Sequence, residues 1–357
     1  MRIGVIPAVG NGLIHMQRTG QLTRLFAHLG GYGHFCRYFS FAAMSEEAPL
    51  WNRNLGTLHA PAQAPRSPLR YALTLPIRER RAFQGCDVLR CTSLLGAIPA
   101  IVAKVLYGTP FVFSHGADYV RIAQIHGRSR LHVQKWRALR AVAMRLADAV
   151  IVQNAAMAVE LRGAYPMAKV QCIPNWVDTD RFAPLEPHRK TDDLRTVLYV
   201  GRLVAEKNLV ALAWACRTLG LRLVCVGAGP LKPELRGLRA ECVGAVPWEM
   251  LPNYHRIASV FAMVSHTEGH CKALTEAMAS GLPCVVSRAV TEGMVPGLNC
   301  IQVKPEEGAI SAGLEAMLSS PAEAARMGRE ARATAVLLWG KDTILGQERR
   351  LLRDCAR

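Results

Sequence analysis

Two glutamates separated by seven residues, Glu268 and Glu276, lie in the stretch Ser265 to Ser287, SHTEGHCKALTEAMASGLPCVVS. The first follows an apolar segment, Ser259 to Val264, in a polar loop that contains Gly269. The second sits in a helix-like run from Ala273 to Ala279, after which Ser280-Gly281 turns the chain into a β-branched segment, Pro283 to Ser287. Strand, loop, helix, turn and strand in that order make the unit of a parallel sheet. In such a unit both carboxylates can face one ligand from different heights. The backbone amides of Ala273, Leu274 and Thr275 are expected to be unpaired donors at a positive helix end, a seat for a phosphate. Gly269 lets the backbone come close to whatever sits there.

Cations to oppose an anionic ligand stand upstream. A strand from Thr196 to Val200 leads into Gly201-Arg202-Leu203, and Glu206-Lys207-Asn208 opens a helix to Leu219. Arg202 as a planar fork and Lys207 as a mobile point charge can converge on one diphosphate. The next strand, Leu221 to Val226, ends in Gly227-Ala228-Gly229-Pro230, and a short strand from Cys242 to Val246 follows. After the glutamate stretch come a last strand, Asn299 to Val303, two helices within residues 306–334, and a basic helical run from Lys341 to Cys355.

The first half repeats the alternation. A strand, Arg2 to Pro7, is followed by a loop with Gly10, Asn11 and Gly12, then Arg18-Thr19-Gly20, a helix from Gln21 to Leu29 and a strand from His34 to Ser40. Residues 43–81, rich in Pro and Arg, read as loops with a helix near Leu69 to Arg80. Asp87 to Cys91 is a strand, Leu95 to Tyr107 a helix, and Pro110 to Ser114 a strand ending at His115-Gly116-Ala117-Asp118. His115 therefore stands at the carboxyl end of a parallel strand, where such sheets bind ligands.

Arg128 to Ala147 reads as a basic amphipathic helix in which Leu131, Trp136, Leu139, Val142, Met144 and Leu146 pack while Arg128, Arg130, Lys135, Arg137 and Arg140 stay wet. It is either an outer helix with a solvated face or a dock for an anionic leaflet, where each basic residue adds about 1 kcal/mol. Strands at Asp148 to Gln153 and Val170 to Ile173 flank a helix from Ala155 to Arg162. Pro174 to Phe182 and the charged run to Asp193 then form the domain linker. Asp178-Thr179-Asp180 spells a metal-binding DxD, but an aromatic and a proline follow it, so it is rejected as a metal site.

The 357 residues give room for two domains, and 50% hydrophobic residues exclude wholesale disorder. Eleven cysteines without a CxxC pattern read as reduced core residues of a cytosolic protein. The opening MRIGVIPAVG is too short in its apolar run for a signal peptide, and no stretch reaches membrane-spanning length. The net charge of +17 is uneven: residues 1–172 carry 21 Lys and Arg against 7 Asp and Glu, so the first half is expected to meet something anionic.

The string EGH-K-x-L-x-EAMASGLP-x-V resembles the donor-site signature of the retaining GT-B glycosyltransferases of family 4, the glycosyl transferases group 1. VGRL-x-x-EKN is similar to that family's phosphate-binding element, PN-x-VD-T-D-RF to its hinge, and HG-A-D to the context of its amino-terminal-domain histidine. The resemblance is strong over residues 173–334 and fainter before them. It implies an α/β GT-B fold, two Rossmann-like doubly wound domains facing across a cleft: an acceptor-side domain at 1–172, joined by a returning helix from 335–357, and a nucleotide-sugar domain at 173–334.

It further implies transfer of a sugar from a nucleotide diphosphate sugar, with retained configuration and no metal or other cofactor, to a glycan or lipid-linked acceptor in bacterial polysaccharide or cell-envelope synthesis. Glu276 would hold the ribose; Arg202, Lys207 and the amides at Ala273 to Thr275 the diphosphate. Glu268 would address the sugar, His115 would close over it, Gly20 would let the diphosphate approach, and Val246 would meet the base through its backbone. His270 and Lys272, which depart from the commonest family form, are candidates for contact with sugar hydroxyls. The expected location is cytoplasmic, with peripheral attachment at the inner face of the membrane and no nucleic-acid partner. The alternatives are a non-transferring GT-B relative of the nucleotide-sugar 2-epimerase kind and a non-catalytic basic membrane-binding module.

Overall fold

The computed structural model describes residues 1–9, 12–116, 119–125, 127–184 and 195–357. Gly10, Asn11, Ala117, Asp118 and the linker run 185–194 lie outside the described residues. The chain forms two compact units, Met1–Pro174 with Leu345–Arg357, and Asn175–Ile344.

In the first unit the order is β1 (Ile3–Ile6), α1 (Leu13–Arg18), α2 (Leu22–Gly30), β2 (Cys36–Phe39), α3 (Met44–Glu47), β3 (Gly56–His59), α4 (Pro68–Arg78), α5 (Arg80–Gln84) and β4 (Val88–Cys91). It continues with α6 (Ala97–Tyr107), β5 (Phe111–Ser114), α7 (Tyr119–Ile125), α8 (Arg130–Leu146), β6 (Ala149–Val152), α9 (Ala155–Ala164) and β7 (Val170–Cys172). All seven strands pair in parallel in the order β3-β2-β1-β4-β5-β6-β7.

The second unit holds β8 (Thr196–Val200), α10 (Leu209–Thr218), β9 (Arg222–Val226), α11 (Lys232–Gly237), β10 (Glu241–Gly244), α12 (Leu251–Ile257) and β11 (Val260–Met263). Then come α13 (Lys272–Ala279), β12 (Cys284–Ser287), β13 (Ile301–Val303), α14 (Glu307–Ser319) and α15 (Pro321–Trp339). The last helix, α16 (Lys341–Cys355), starts in this unit and passes at Leu345 into the first. The sheet order is β10-β9-β8-β11-β12-β13, again parallel. Helices cover both faces of a parallel sheet, so its inner strands tend to read as apolar runs rather than alternating. The runs AVIV in β6, TVLYV in β8 and VFAM in β11 are buried along their whole length for this reason.

Four local readings are corrected. Residues 13–18, read as loop, are the helix α1. Its first amides, at Leu13 and Ile14, donate to the buried Glu47 carboxylate at 2.9 and 3.2 Å, a cap that comes from 34 residues away. The helix read from Glu206 begins at Leu209, after a 3₁₀ turn over Ala205–Lys207 that is closed by Asn208 at φ 55°, a conformation Asn tolerates. The strand read to Val246 ends at Gly244, leaving Val246 in the loop beyond. In α8, Leu131 and Val142 point outward, while Val133 and Ala143 take the inner positions beside Met144. Residues 335–344 also stay with the second unit, because α15 runs on to Trp339 and packs against α13.

Candidate functional site

In a doubly wound sheet the crevice lies outside the carboxyl ends of the strands, where the strand order reverses. In the second unit β8 has β9 on one side and β11 on the other, so the reversal lies between the loops that leave β8 and β11. Those loops carry Lys207 and Glu268. Lys207 Nζ donates to Glu268 Oε1 at 2.5 Å, with the side chains 17% and 8% exposed. The buried Ser265 hydroxyl donates to the same oxygen at 2.8 Å. The backbone N–H of His266 donates to the Glu206 carbonyl at 3.0 Å and ties the loops together. A shielded ion pair thus spans the reversal point, with each partner held by its own loop.

Tyr199, fully buried on β8, fixes the start of this arrangement. Its hydroxyl donates to the Arg202 carbonyl at 2.9 Å, and a Cβ on Gly201 would fall 2.6 Å from the Tyr199 hydroxyl oxygen. The Arg202 backbone is therefore pinned while its side chain is exposed. Burial, with Cys271 and Glu268 nearby, raises the Tyr199 phenol and keeps it a neutral donor. Gly227 has a packing reason: at φ 144°, a Cβ there would lie 1.9 Å from the Gly201 carbonyl oxygen. Backbone bonds from Gly201 to Val226, from Leu203 to Ala228 and from Leu231 to Leu203 then lock the GRL and GAGP loops together.

The amino end of α13 differs from expectation. Thr275 N–H donates to the Cys271 carbonyl at 3.1 Å, and the amides of Ala273 and Leu274 lie near the Cys271 thiol, which makes no side-chain cap bond. Of the three amides expected to be free, that of Thr275 is paired. The Cys271 thiol is pushed up to about 12 by burial first and Glu268 second, against the pull of the Ala273 and Leu274 amides and Lys207, so it stays protonated. Gly269 and Lys272 are exposed, and His270 is half-buried. The His270 ring meets Trp339 edge-on at 5.2 Å, and its carbonyl accepts from Asn175 Nδ2 at 3.4 Å.

Glu276, on the second turn of α13, is 3% exposed and accepts the indole N–H of Trp248 at 3.0 Å. Trp248 is itself braced by linker residues: Trp176 edge-on at 6.0 Å, the Arg181 guanidinium 4.6 Å above its ring, and Phe182 at 5.9 Å. Half-buried Val246 lies two residues before it. Tyr199, Ser265, Trp248 and Cys271 were all missed as site residues in the sequence.

The Asp178-Thr179-Asp180 run lines a polar cavity of about 810 Å³, which it shares with Glu249 and Asp342 and with the cations Arg181, Arg256 and Lys341. Neither Lys207 nor Glu268 lines it. Asp178 accepts the Arg181 backbone N–H at 3.1 Å, so this aspartate closes a turn. No group of three His, Cys, Asp or Glu able to hold a metal occurs among the described residues.

His115 and Gly20 belong to the first unit, and Arg202, Lys207, Glu268 and Glu276 to the second. His115 is 2% exposed at the end of β5, and its N–H donates to the Ile151 carbonyl at 2.8 Å. Gly20, at φ 67°, ends the turn that follows α1.

Known proteins match both units. The model of the family described as glycosyl transferases group 1 matches residues 180–334, and that of glycosyltransferase family 4 matches residues 21–181. A GDP-mannose-dependent alpha-(1-6)-phosphatidylinositol monomannoside mannosyltransferase of Mycobacterium tuberculosis is 32% identical over 151 residues, which are 35% of this chain and 39% of the relative. A GDP-mannose-dependent alpha-mannosyltransferase of the same species is 27% identical over 291 residues, 76% of this chain and 75% of the relative. The match to the first relative thus covers well under two thirds of its length. Among solved structures, a sucrose-phosphate synthase from Thermosynechococcus elongatus superposes with a TM-score of 0.79 at 20% identity, over 99% of this chain and 98% of that one.

Proposed function

We propose a function from one premise: the chain belongs to the glycosyl transferases group 1 and glycosyltransferase family 4, whose models together span residues 21–334 of a GT-B fold. It is a glycosyltransferase that moves a sugar from a nucleotide diphosphate sugar to a glycan or lipid-linked acceptor of the cell envelope, with retention of configuration. GDP-mannose is the first donor to test, since two similar proteins carry it in their names. The observation that carries the reading is the Lys207–Glu268 pair across the reversal point of the second sheet.

Sugar transfer expels a nucleotide diphosphate, and fixed cations aimed at that developing charge lower the barrier without reorganising at the moment of reaction. Lys207 and the exposed side chain of Arg202 supply them, in the role a divalent ion plays elsewhere. Glu268 then faces the sugar, and Glu276 takes the ribose hydroxyls. All eleven cysteines are free, which supports a reducing, cytoplasmic setting.

A thermal-shift panel of nucleotide sugars, followed by product analysis, tests the reading. GDP-mannose is expected to raise the melting temperature, and transfer is expected to persist in EDTA and to give a product with the donor's anomeric configuration. A panel in which no nucleotide sugar shifts the transition removes the reading. Trp248 gives a finer check: Trp248→Phe keeps the ring packing and deletes the N–H that holds Glu276. With about 1 kcal/mol for such a bond, donor KM should rise about fivefold at nearly constant kcat.

A further inference from the structure

We propose that helix α4 is a docking surface for an anionic lipid bilayer, which its leucine stripe enters while flanking arginines meet the headgroups. The helix buries Tyr71, Ala72, Leu75 and Pro76 against the first unit, and Tyr107 Oη donates to the Pro76 carbonyl at 3.1 Å. Among the described residues nothing covers its other side: Leu69 is 54% exposed, Leu73 48% and Ile77 61%. These residues stand four apart, so each turns about 40° from the last and the three form one continuous stripe. A single exposed leucine is ordinary, but three on successive turns mark a contact surface.

Charge selects the occupant. Arg66, Arg70, Arg78, Arg80 and Arg81 are all exposed, and Arg70 falls within the stripe, one turn before Leu73. The sequence has no carboxylate from Ala48 to Arg78, and Glu79 is engaged by His59 Nδ1 at 3.1 Å. A second copy packed on the same face would set Arg70 and its neighbours against their own kind, which disfavours a dimer. Nucleic acid calls for stacking aromatics, and the only aromatic of this helix, Tyr71, is turned inward. An anionic leaflet satisfies both features, with acyl chains for the stripe and phosphates for the guanidiniums. The basic helix α8 fits less well, because its exposed Leu131 and Val142 are three turns apart with Lys135 and Ala138 between them.

The inference is independent of the donor reading, since every residue in it belongs to the first unit. Sedimentation of the full chain with vesicles of phosphatidylcholine, alone or mixed with phosphatidylglycerol, tests it. Binding is expected only with the anionic lipid and should weaken with salt. Leu73→Glu with Ile77→Glu should abolish it at an unchanged melting temperature, and Arg70→Gln and Arg81→Gln should each weaken it about fivefold. The proposal is overturned if the Leu73→Glu, Ile77→Glu protein sediments like the parent, or if the parent ignores phosphatidylglycerol. It is equally overturned if only Lys135→Glu with Arg137→Glu in α8 releases the protein, or if the stripe variants instead dissolve a dimer.

Discussion

Lys207→Ala and Glu276→Ala are each expected to lower sugar transfer about 100- to 1000-fold while the fold survives. For Lys207 two effects act together. The departing diphosphate loses a preorganised cation, and Glu268, 8% exposed, keeps only the Ser265 hydroxyl among the partners described above. Both act on the transition state more than on donor binding, so the loss should fall mainly on kcat. Glu276→Ala removes the acceptor of the Trp248 N–H, which costs about 1–3 kcal/mol of stability, a fraction of what holds a domain together. Its kinetic effect should fall on donor KM, because a ribose contact is made before and during transfer alike. Steady-state kinetics with the donor, beside circular-dichroism melts of each variant, make the comparison. Full turnover in either protein contradicts the assignment.

The parts of this site legible in the sequence are those encoded locally. Glu268 and Glu276 are joined by a single loop and two helical turns, so spacing alone keeps them in one strand-loop-helix unit. Arg202 and Lys207 share a short loop after β8 in the same way. What joins the two loops is tertiary: the Lys207–Glu268 bond spans 61 residues, and it follows from strand order, which no local pattern states. Trp248 was invisible for the same reason, since its indole reaches Glu276 from the turn before α12 and looks in sequence like any core aromatic.

At the amino end of α13 the Thr275 amide departs from expectation. The helix starts at Lys272, one residue before the run read from Ala273, so Thr275 closes the first turn on the Cys271 carbonyl. In the fold, the unbroken apolar runs of strands such as β6 and β11 declared a parallel sheet because both of its faces are covered. The six-residue α1 was read as loop because too few residues show a period, and because Glu47, which caps it, is 34 residues away. The stripe on α4 is the converse case. Residues 69–80 read as a helix, and the packing of Tyr71, Ala72, Leu75 and Pro76 on the first unit decides that Leu69, Leu73 and Ile77 turn outward.

Glu348→Gln is expected to loosen the last helix from the first unit, at a cost of about 3–5 kcal/mol. From α16 the Glu348 carboxylate, 3% exposed, accepts Arg90 Nε at 2.5 Å and Tyr32 Oη at 3.2 Å, and pairs with His28 Nε2 at 3.2 Å. Arg90, on the central strand β4, also donates to Ser114 Oγ at 2.8 Å and to the Cys91 carbonyl. Burial alone would raise this carboxyl, but the Arg90 charge and then His28 override it and hold the group well below the usual carboxylate range. A depressed acid contributes stability that is fully present above its unfolded value, about pH 4.3, and is lost as pH falls below it. Acid should therefore release α16 in the parent, whereas the glutamine variant, already without that charge, should show a flatter response below pH 4.3. Hydrogen exchange of the amides of residues 345–355 across pH, in parent and variant, reads this directly. Because the penalty comes from stranding the Arg90 charge, Arg90→Met combined with Glu348→Leu should recover most of the protection that Glu348→Gln loses. If the double variant is as unprotected as the single one, the helix is held by its apolar contacts, such as buried Ile344, Leu345, Leu351 and Leu352, and not by the ion pair.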